Sequence, residues 1–245
     1  MDFKSSFYPE SNFGGFTDID GTVAFYLRVN SLIDPGSSVV LDVGCGWGVY
    51  AEDPVPVRRE LRILQGKAKK VVGIDVDESA KNNPFIDVFH LIQEGERWPL
   101  EDESVDVCIC DYVVEHIKDL ELFFSECRRV IKREGYLCIR TTNILSYVGL
   151  LSRLIPNRYH SLVLSTVQSN REEEDVYPTL YKCNTIRKMS RMFEQYGFVW
   201  CVYGYEAEPS YLSFSRFFYR LGVVHQRFAP QSIRPVIFGF GQKGY

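Results

Sequence analysis

Residues 39–50 read VVLDVGCGWGVY, and residues 71–77 read VVGIDVD. The first stretch is a short apolar run that breaks into glycines at 44, 46 and 48. The second is a short apolar run that ends on a carboxylate. Runs of this length bounded by glycine predict buried strands that open into turns. Two such units side by side predict a nucleotide crevice. The glycines let a ligand approach the backbone, and the acid at the end of the second strand receives ribose hydroxyls.

The flanking pattern fits a sheet with helices on both sides. Val23, Phe25, Tyr26, Leu27, Val29, Leu32 and Ile33 recur at helical spacing over 17–33, and Asp34-Pro35-Gly36 stops that helix. Residues 1–16 are polar and aromatic and read as an arm or a lid. Strands are expected at 38–43, 71–75, 88–92, 105–110 and 136–141. A helix over 119–132 is carried by Leu120, Phe123, Phe124, Cys127, Val130 and Ile131, and Arg133-Glu134-Gly135 reads as a turn. Residues 49–70 hold Pro54, Pro56 and a helix-like run over 57–65, long enough for part of the segment to reach over a ligand. A helix at 186–196 and strands at 198–203 and 235–240 complete the pattern. The strands are apolar throughout rather than alternating, as expected when helices cover both faces. The fold class expected is α/β, a Rossmann-like, doubly wound, mostly parallel sheet with insertions after the fifth strand and before the last.

Composition narrows the function. The 245 residues carry 28 basic and 32 acidic side chains, a net charge of -4, which argues against a dedicated nucleic-acid binder. Arg58, Arg59 and Arg62, and then Lys67, Lys69 and Lys70, read as solvated helix faces. The seven cysteines form no C-x-x-C and have no histidine at ligand spacing. They read as small buried thiols in a reducing compartment, with no metal site. No stretch resembles a signal peptide and no 18-residue apolar window is present, so a cytoplasmic protein without stable membrane insertion is expected. The oligomeric state is unknown from sequence.

The glycine turn excludes two common ligands. A dinucleotide fingerprint wants glycine where Val49 stands, and a triphosphate loop wants Gly-Lys-Ser/Thr. A carboxylate at 42 repels a pyrophosphate and suits a ligand with positive charge near the turn. Asp42, Gly44, Gly46 and Gly48, with Asp75 one strand on, resemble the D-x-G-x-G-x-G turn of the class I S-adenosylmethionine-dependent methyltransferases, in particular the type 11 group. The resemblance covers 38–142 and, more loosely, 186–203. It implies that the turn, Asp42, Gly44, Cys45, Gly46 and Gly48, binds the amino-acid end of S-adenosyl-L-methionine. It implies that Asp75 holds the ribose hydroxyls and that Val76 lies against the adenine. Glu94 and Gly95 stand where the family places a contact to the adenine amino group, with Glu94 for aspartate and Trp98 for leucine. Asp111 and Tyr112 occupy the zone near the sulfonium. Residues 123–131 with Arg133-Glu134-Gly135 resemble the family's E-x-x-R-v-L-k-p-G-G run, with Glu134 for its first glycine. The chemistry is consistent. Carboxylates and ring faces stabilise a sulfonium, and backbone N–H groups of the turn receive a carboxylate. On this reading 1–245 is a single methyltransferase domain, with an N-terminal arm and helix (1–37), a cofactor-binding core (38–142) and two substrate-side insertions (143–185 and 205–234).

The implied reaction is methyl transfer to a small-molecule or saccharide acceptor at a hydroxyl oxygen. Positioning supplies much of the rate, and a base takes the proton. Candidates are His116, His160 and Asp111. His116 also reads as a helix cap or loop tie, and His160 as a surface-loop residue, while His225 and His90 have no supporting context. The acidic run 172–175, followed by Tyr177-Pro178-Thr179, reads either as a contact for a polyhydroxylated substrate or as a solvated loop. Asn143, Pro156-Asn157-Arg158, Glu173-Glu174-Asp175 and Cys183-Asn184 loosely resemble methyltransferases of bacterial surface-glycan synthesis, which favours a saccharide. Tyr203, Tyr205, Tyr211, Phe214, Phe217, Phe218 and Tyr219 read as residues that stack on sugar rings or flat acceptors, or as core residues. Phe214, Phe217, Phe218 and Leu221 follow i, i+3, i+4, i+7, an amphipathic helix that packs on the core or docks on a membrane holding a lipid-linked acceptor. Two competing readings remain. One is a protein or RNA methyltransferase whose insertions form a docking face. The other is a non-catalytic cofactor-binding module, against which the intact turn and Asp75 weigh.

Overall fold

The computed structural model of the chain describes residues 3–154 and 179–244. Seven strands form one sheet: β1 (Val39–Val43), β2 (Lys70–Asp75), β3 (Val88–Leu91), β4 (Val105–Asp111), β5 (Ile131–Thr142), β6 (Phe198–Tyr205) and β7 (Val236–Lys243), in the order β3-β2-β1-β4-β5-β7-β6. β1 pairs in parallel with β2 and β4, and β2–β3 and β4–β5 are parallel too. β7 runs antiparallel to both β5 and β6. The strand order reverses between β1 and β4, so a crevice opens at the carboxyl ends of those two strands. The expected doubly wound, mostly parallel α/β sheet is the architecture observed.

The helices are α1 (Phe3–Phe7), α2 (Gly21–Ser31), α3 (Pro56–Arg62), α4 (Leu120–Val130), α5 (Tyr147–Leu154), α6 (Ile186–Gln195) and α7 (Arg216–Phe228). Successive strand residues face opposite sides of the sheet. Leu41 and Val43 therefore join Phe123, Phe124, Cys127, Met189 and Phe193 of α4 and α6 on one side. Val40, Val107 and Ile109 join Phe25, Tyr26 and Val29 of α2 on the other. The same alternation puts Asp42 and Asp111 on the α2 side, at the mouth of the crevice. Asp42 lies in register with Ile109 of β4.

Several boundaries differ from the sequence reading, each for a local reason. The helix expected from 17 starts at Gly21, because the Asp20 side chain accepts the N–H groups of Thr22 and Val23 and caps it there. The run over 57–65 shortens to α3, with Pro56 in its first turn, after a 3-10 turn at Val49–Glu52. β5 begins at Ile131 rather than 136. Arg133-Glu134-Gly135 is not a turn between elements but an irregularity within the strand, where the pairing slips between Val105 and Val107 and Glu134 takes φ 64°. Six cysteines are buried, but Cys201 is exposed on the outer strand β6. The N-terminal segment is anchored at Phe7 and Tyr8: Tyr8 is buried with Tyr219 and Val223, and Phe7 lies 5.4 Å from the Tyr219 ring, while Phe13 stays exposed.

Candidate functional site

The turn after β1 is built for close approach. Gly44, Gly46 and Gly48 all take positive φ, at 67°, 53° and 89°. A Cβ at Gly44 would meet Val113 Cγ2 at 2.4 Å, so only glycine fits there. A Cβ at Gly46 would meet nothing within 4 Å. That space is open to a ligand. The turn is held from two sides. Asp75, at the end of β2, accepts the Gly46 N–H on Oδ2 at 2.9 Å and the Asp77 N–H on Oδ1 at 3.0 Å. Asn83 donates from Nδ2 to the Cys45 and Gly46 carbonyls at 3.1 and 3.0 Å, and its Oδ1 accepts the Phe85 N–H. No spacing in the sequence marks Asn83, which follows β2 by eight residues and reaches the turn only through the fold.

Beneath the turn lies a cluster of charges. Asp42, Gly44, Cys45, Tyr50, Arg62, Tyr26 and Asp111 line one cavity. Burial, with Asp111 nearby, pushes the Asp42 carboxyl up to about 7, although Arg62 opposes the shift. Asp111 behaves differently. Burial pushes it up too, but Arg140 outweighs that and holds it below the usual carboxylate range. Arg140 donates to both Asp111 oxygens, from Nε at 2.6 Å and Nη2 at 2.7 Å, and the Tyr26 hydroxyl donates at 2.9 Å. This bidentate, charge-assisted pair leaves little capacity for a proton.

Arg62 comes from the end of α3, in the segment expected to reach over the ligand. Its guanidinium lies 4.7 Å from the Tyr50 ring centroid and 5.7 Å from that of Tyr26. Its nearest Asp111 oxygen is 3.9 Å away, and its buried Nε has no hydrogen-bond partner. The sequence suggested a solvated face for Arg62. In the fold it is a cation in the crevice with an unused donor. The N–H groups of Gly44, Cys45 and Gly46 are taken up by the Ile74 carbonyl and Asp75, so the charges that fit an amino-acid ligand are Arg62 for a carboxylate and Asp42 for an ammonium, with Asp75 beside them for hydroxyls.

The other candidates lie around this cleft. Val76 follows Asp75 and is 40% exposed. Tyr112 follows β4 with φ 57°, and its ring lies 4.9 Å from the Arg140 guanidinium. Gly95 takes φ 84° in the loop after β3, where the exposed Glu94 pairs with Lys118. Trp98 is buried edge-on against Phe123, 5.9 Å between centroids, and so belongs to the core rather than to the cleft wall. His116 sits in the turn after β4, its N–H donating to the Val113 carbonyl at 2.9 Å. His160 and the acidic run 172–175 lie outside the described residues.

His225, set aside on sequence, has context after all. Its Nδ1 lies 2.9 and 2.8 Å from the two oxygens of the buried Glu206, and the Tyr147 ring packs across the imidazole at 5.2 Å and 86°. Burial raises the Glu206 carboxyl above its usual range, against His225 and Arg234. The three residues come from the start of α5, the end of β6 and α7, all on the carboxyl side of the sheet. Glu206 and His225 are 19 positions apart, so no local pattern joins them. Asn143 ties this insertion to the sheet, its Nδ2 donating to the Ser232 and Arg234 carbonyls. Among the described residues no group of three metal-ligating side chains converges, and no helix is long and apolar enough to cross a membrane.

The chain is similar to known proteins over this core. Residues 41–139 match the family model described as a methyltransferase domain. A probable S-adenosylmethionine-dependent methyltransferase of Mycolicibacterium smegmatis is 32% identical over 113 residues, covering 44% of this chain and 39% of that protein. The mitochondrial ubiquinone biosynthesis O-methyltransferase of Bos taurus is 34% identical over 132 residues, covering 48% of this chain and 33% of that protein. The chain thus spans well under half the length of these curated relatives. The crystal structure of a SAM-dependent methyltransferase from Archaeoglobus fulgidus superposes with a TM-score of 0.56 at 18% identity, covering 97% of this chain and 99% of that one. At that identity the likeness speaks for the fold alone.

Proposed function

We propose that this chain, which carries a class I S-adenosylmethionine-dependent methyltransferase domain, methylates a hydroxyl oxygen of a small molecule or saccharide. The observation that carries the reading is the complementarity of the crevice to the donor. Gly46 leaves the backbone open, Asp75 is fixed beside it, and Arg62 keeps a buried Nε without an acceptor. The bound donor supplies an electrophilic methyl carbon on a sulfonium. The Gly44–Gly48 turn, Asp42 and Arg62 would hold its amino-acid end, Asp75 its ribose, and Val76 with the loop at Glu94 and Gly95 its base. The Tyr112 ring and Asp111 would face the sulfonium.

The acceptor oxygen attacks in line, and its proton must go to a base. Asp111 is poorly suited to that task, because Arg140 engages both of its oxygens. His116 is retained as a candidate from the β4 side. His225, oriented by Glu206 through Nδ1, leaves its Nε2 as the proton acceptor from the insertion side. The names of the O-methyltransferase relatives favour oxygen as the acceptor atom, and the tyrosine-rich insertion favours a polyhydroxylated or ring-shaped partner. The experiment is transfer of labelled methyl from S-adenosylmethionine to a panel of saccharides and phenols, with the product's methyl located by NMR. Methyl on oxygen supports the proposal. Methyl on carbon or nitrogen, or donor binding without transfer to any hydroxyl, overturns it.

A further inference from the structure

Helix α7 has two apolar faces, and only one is used by the fold. Tyr219, Gly222 and Val223 are buried, the tyrosine and valine against Tyr8. On the opposite side Phe217, Leu221, Val224 and Phe228 are exposed by 65%, 49%, 55% and 80%. At 3.6 residues per turn these four fall within about 60° of arc, a continuous stripe along the helix. Phe214 and Phe218 widen it, both exposed, with ring centroids 5.5 Å apart. Single exposed apolar side chains need no explanation, but a contiguous stripe of this kind marks an interaction surface.

The flank of the stripe is basic. Arg216, Arg220 and Arg227 fall within about 40° of arc on one side of it. All three are exposed, and among the described residues none is ion-paired with a carboxylate. No aspartate or glutamate occurs anywhere from 209 to 245, in a chain whose net charge is -4. We infer that α7 is a membrane-surface helix that lies in the plane of a bilayer containing anionic lipid. The stripe Phe217, Leu221, Val224 and Phe228 enters the headgroup–acyl boundary, and Arg216, Arg220 and Arg227 meet the lipid phosphates.

Three features select this occupant. An aromatic and aliphatic face bordered by arginine is the composition of in-plane interfacial helices. With 13 residues the helix is too short to span. A second copy of the chain would bring the same arginines together with no acid on either face to neutralise them, whereas an anionic leaflet supplies the missing charge. His225 borders the stripe on the flank opposite the arginines, where it meets Glu206 and Tyr147. Attachment through α7 therefore presents that side of the sheet to the lipid surface, within reach of a hydroxyl acceptor carried on a lipid. The inference itself concerns attachment and does not depend on the acceptor.

Sedimentation of the full chain with vesicles tests it, using phosphatidylcholine alone and phosphatidylcholine mixed with phosphatidylglycerol. The chain is expected to pellet with the mixed vesicles, less so as salt rises, and weakly with phosphatidylcholine alone. The triple substitution Arg216→Ala/Arg220→Ala/Arg227→Ala should lower partitioning on the order of a hundredfold. Phe217→Ser/Phe228→Ser should abolish it, while S-adenosylhomocysteine binding by both variants stays at the wild-type level. Wild-type protein that remains in the supernatant with both vesicle types overturns the inference. So does pelleting that neither set of substitutions changes, or a dimer in analytical ultracentrifugation that the phenylalanine substitutions dissociate.

Discussion

Asp75 Oδ2 accepts the Gly46 N–H at 2.9 Å, so the acid that ends β2 and the turn that ends β1 form one unit. Each carboxylate oxygen has a second lone pair, so the acid can hold the turn and still accept ribose hydroxyls. Asp75→Ala removes both interactions. It is expected to weaken S-adenosylhomocysteine binding by tenfold or more, about 1.4 kcal/mol, as read by calorimetry.

Asn83 supports the same turn from below, by donating to two of its carbonyls. Asn83→Ala leaves both carbonyls without that donor, next to a buried site. Stability should fall by about 1–3 kcal/mol in urea denaturation. Donor affinity should fall with it, because the turn loses its fixed shape. An unchanged denaturation midpoint would mean that water replaces the amide without cost.

Arg62 separates the two ends of the donor. Its free Nε and its place in the cavity beside Asp42 direct it to the carboxylate of the amino-acid end. Arg62→Gln should weaken S-adenosylhomocysteine on the order of tenfold to a hundredfold, the range of a hydrogen bond to a charged group. Binding of 5′-methylthioadenosine, which lacks the amino-acid end, should not change. Equal loss for both ligands would assign Arg62 a purely structural part.

Asp42 makes donor binding depend on pH. Its carboxyl is raised to about 7 in the free protein, chiefly by burial, and a ligand ammonium favours the ionised form. Affinity for S-adenosylhomocysteine should therefore fall as pH drops below about 7. Binding there should release protons, seen as a dependence of the calorimetric heat on buffer. Asp42→Asn should remove the proton release. The free protein shows the opposite sign in stability. A raised acid pKa means that the folded state binds more protons than the unfolded one between the ordinary carboxylate range and about 7. Stability contributed by this group therefore declines as pH rises through that window.

The exposed stripe of α7 shows where pattern reading stops. Phe214, Phe217, Phe218 and Leu221 have the spacing of an amphipathic helix, and that spacing is the same whether the apolar face meets a core or solvent. Burial alone distinguishes them, and the fold buries Tyr219 and Val223 instead. His225 and Arg62 teach a similar lesson. Each looked unremarkable beside its sequence neighbours, and each acquires its partners from strands and helices far away in the chain.

The glycine turn, the two acids at the strand ends and the α/β alternation were legible from the chain alone. Turn conformation and apolar period are short-range properties, set by the residue types within a few positions. The Arg140–Asp111 pair, the Asn83 clamp, the Arg62 cation and the Glu206–His225 contact were decided by tertiary structure. The packing of strands, helices and turns brings residues 19 to 38 positions apart, or more, into hydrogen-bond range, and neither composition nor spacing encodes which of the many possible long-range partners will meet.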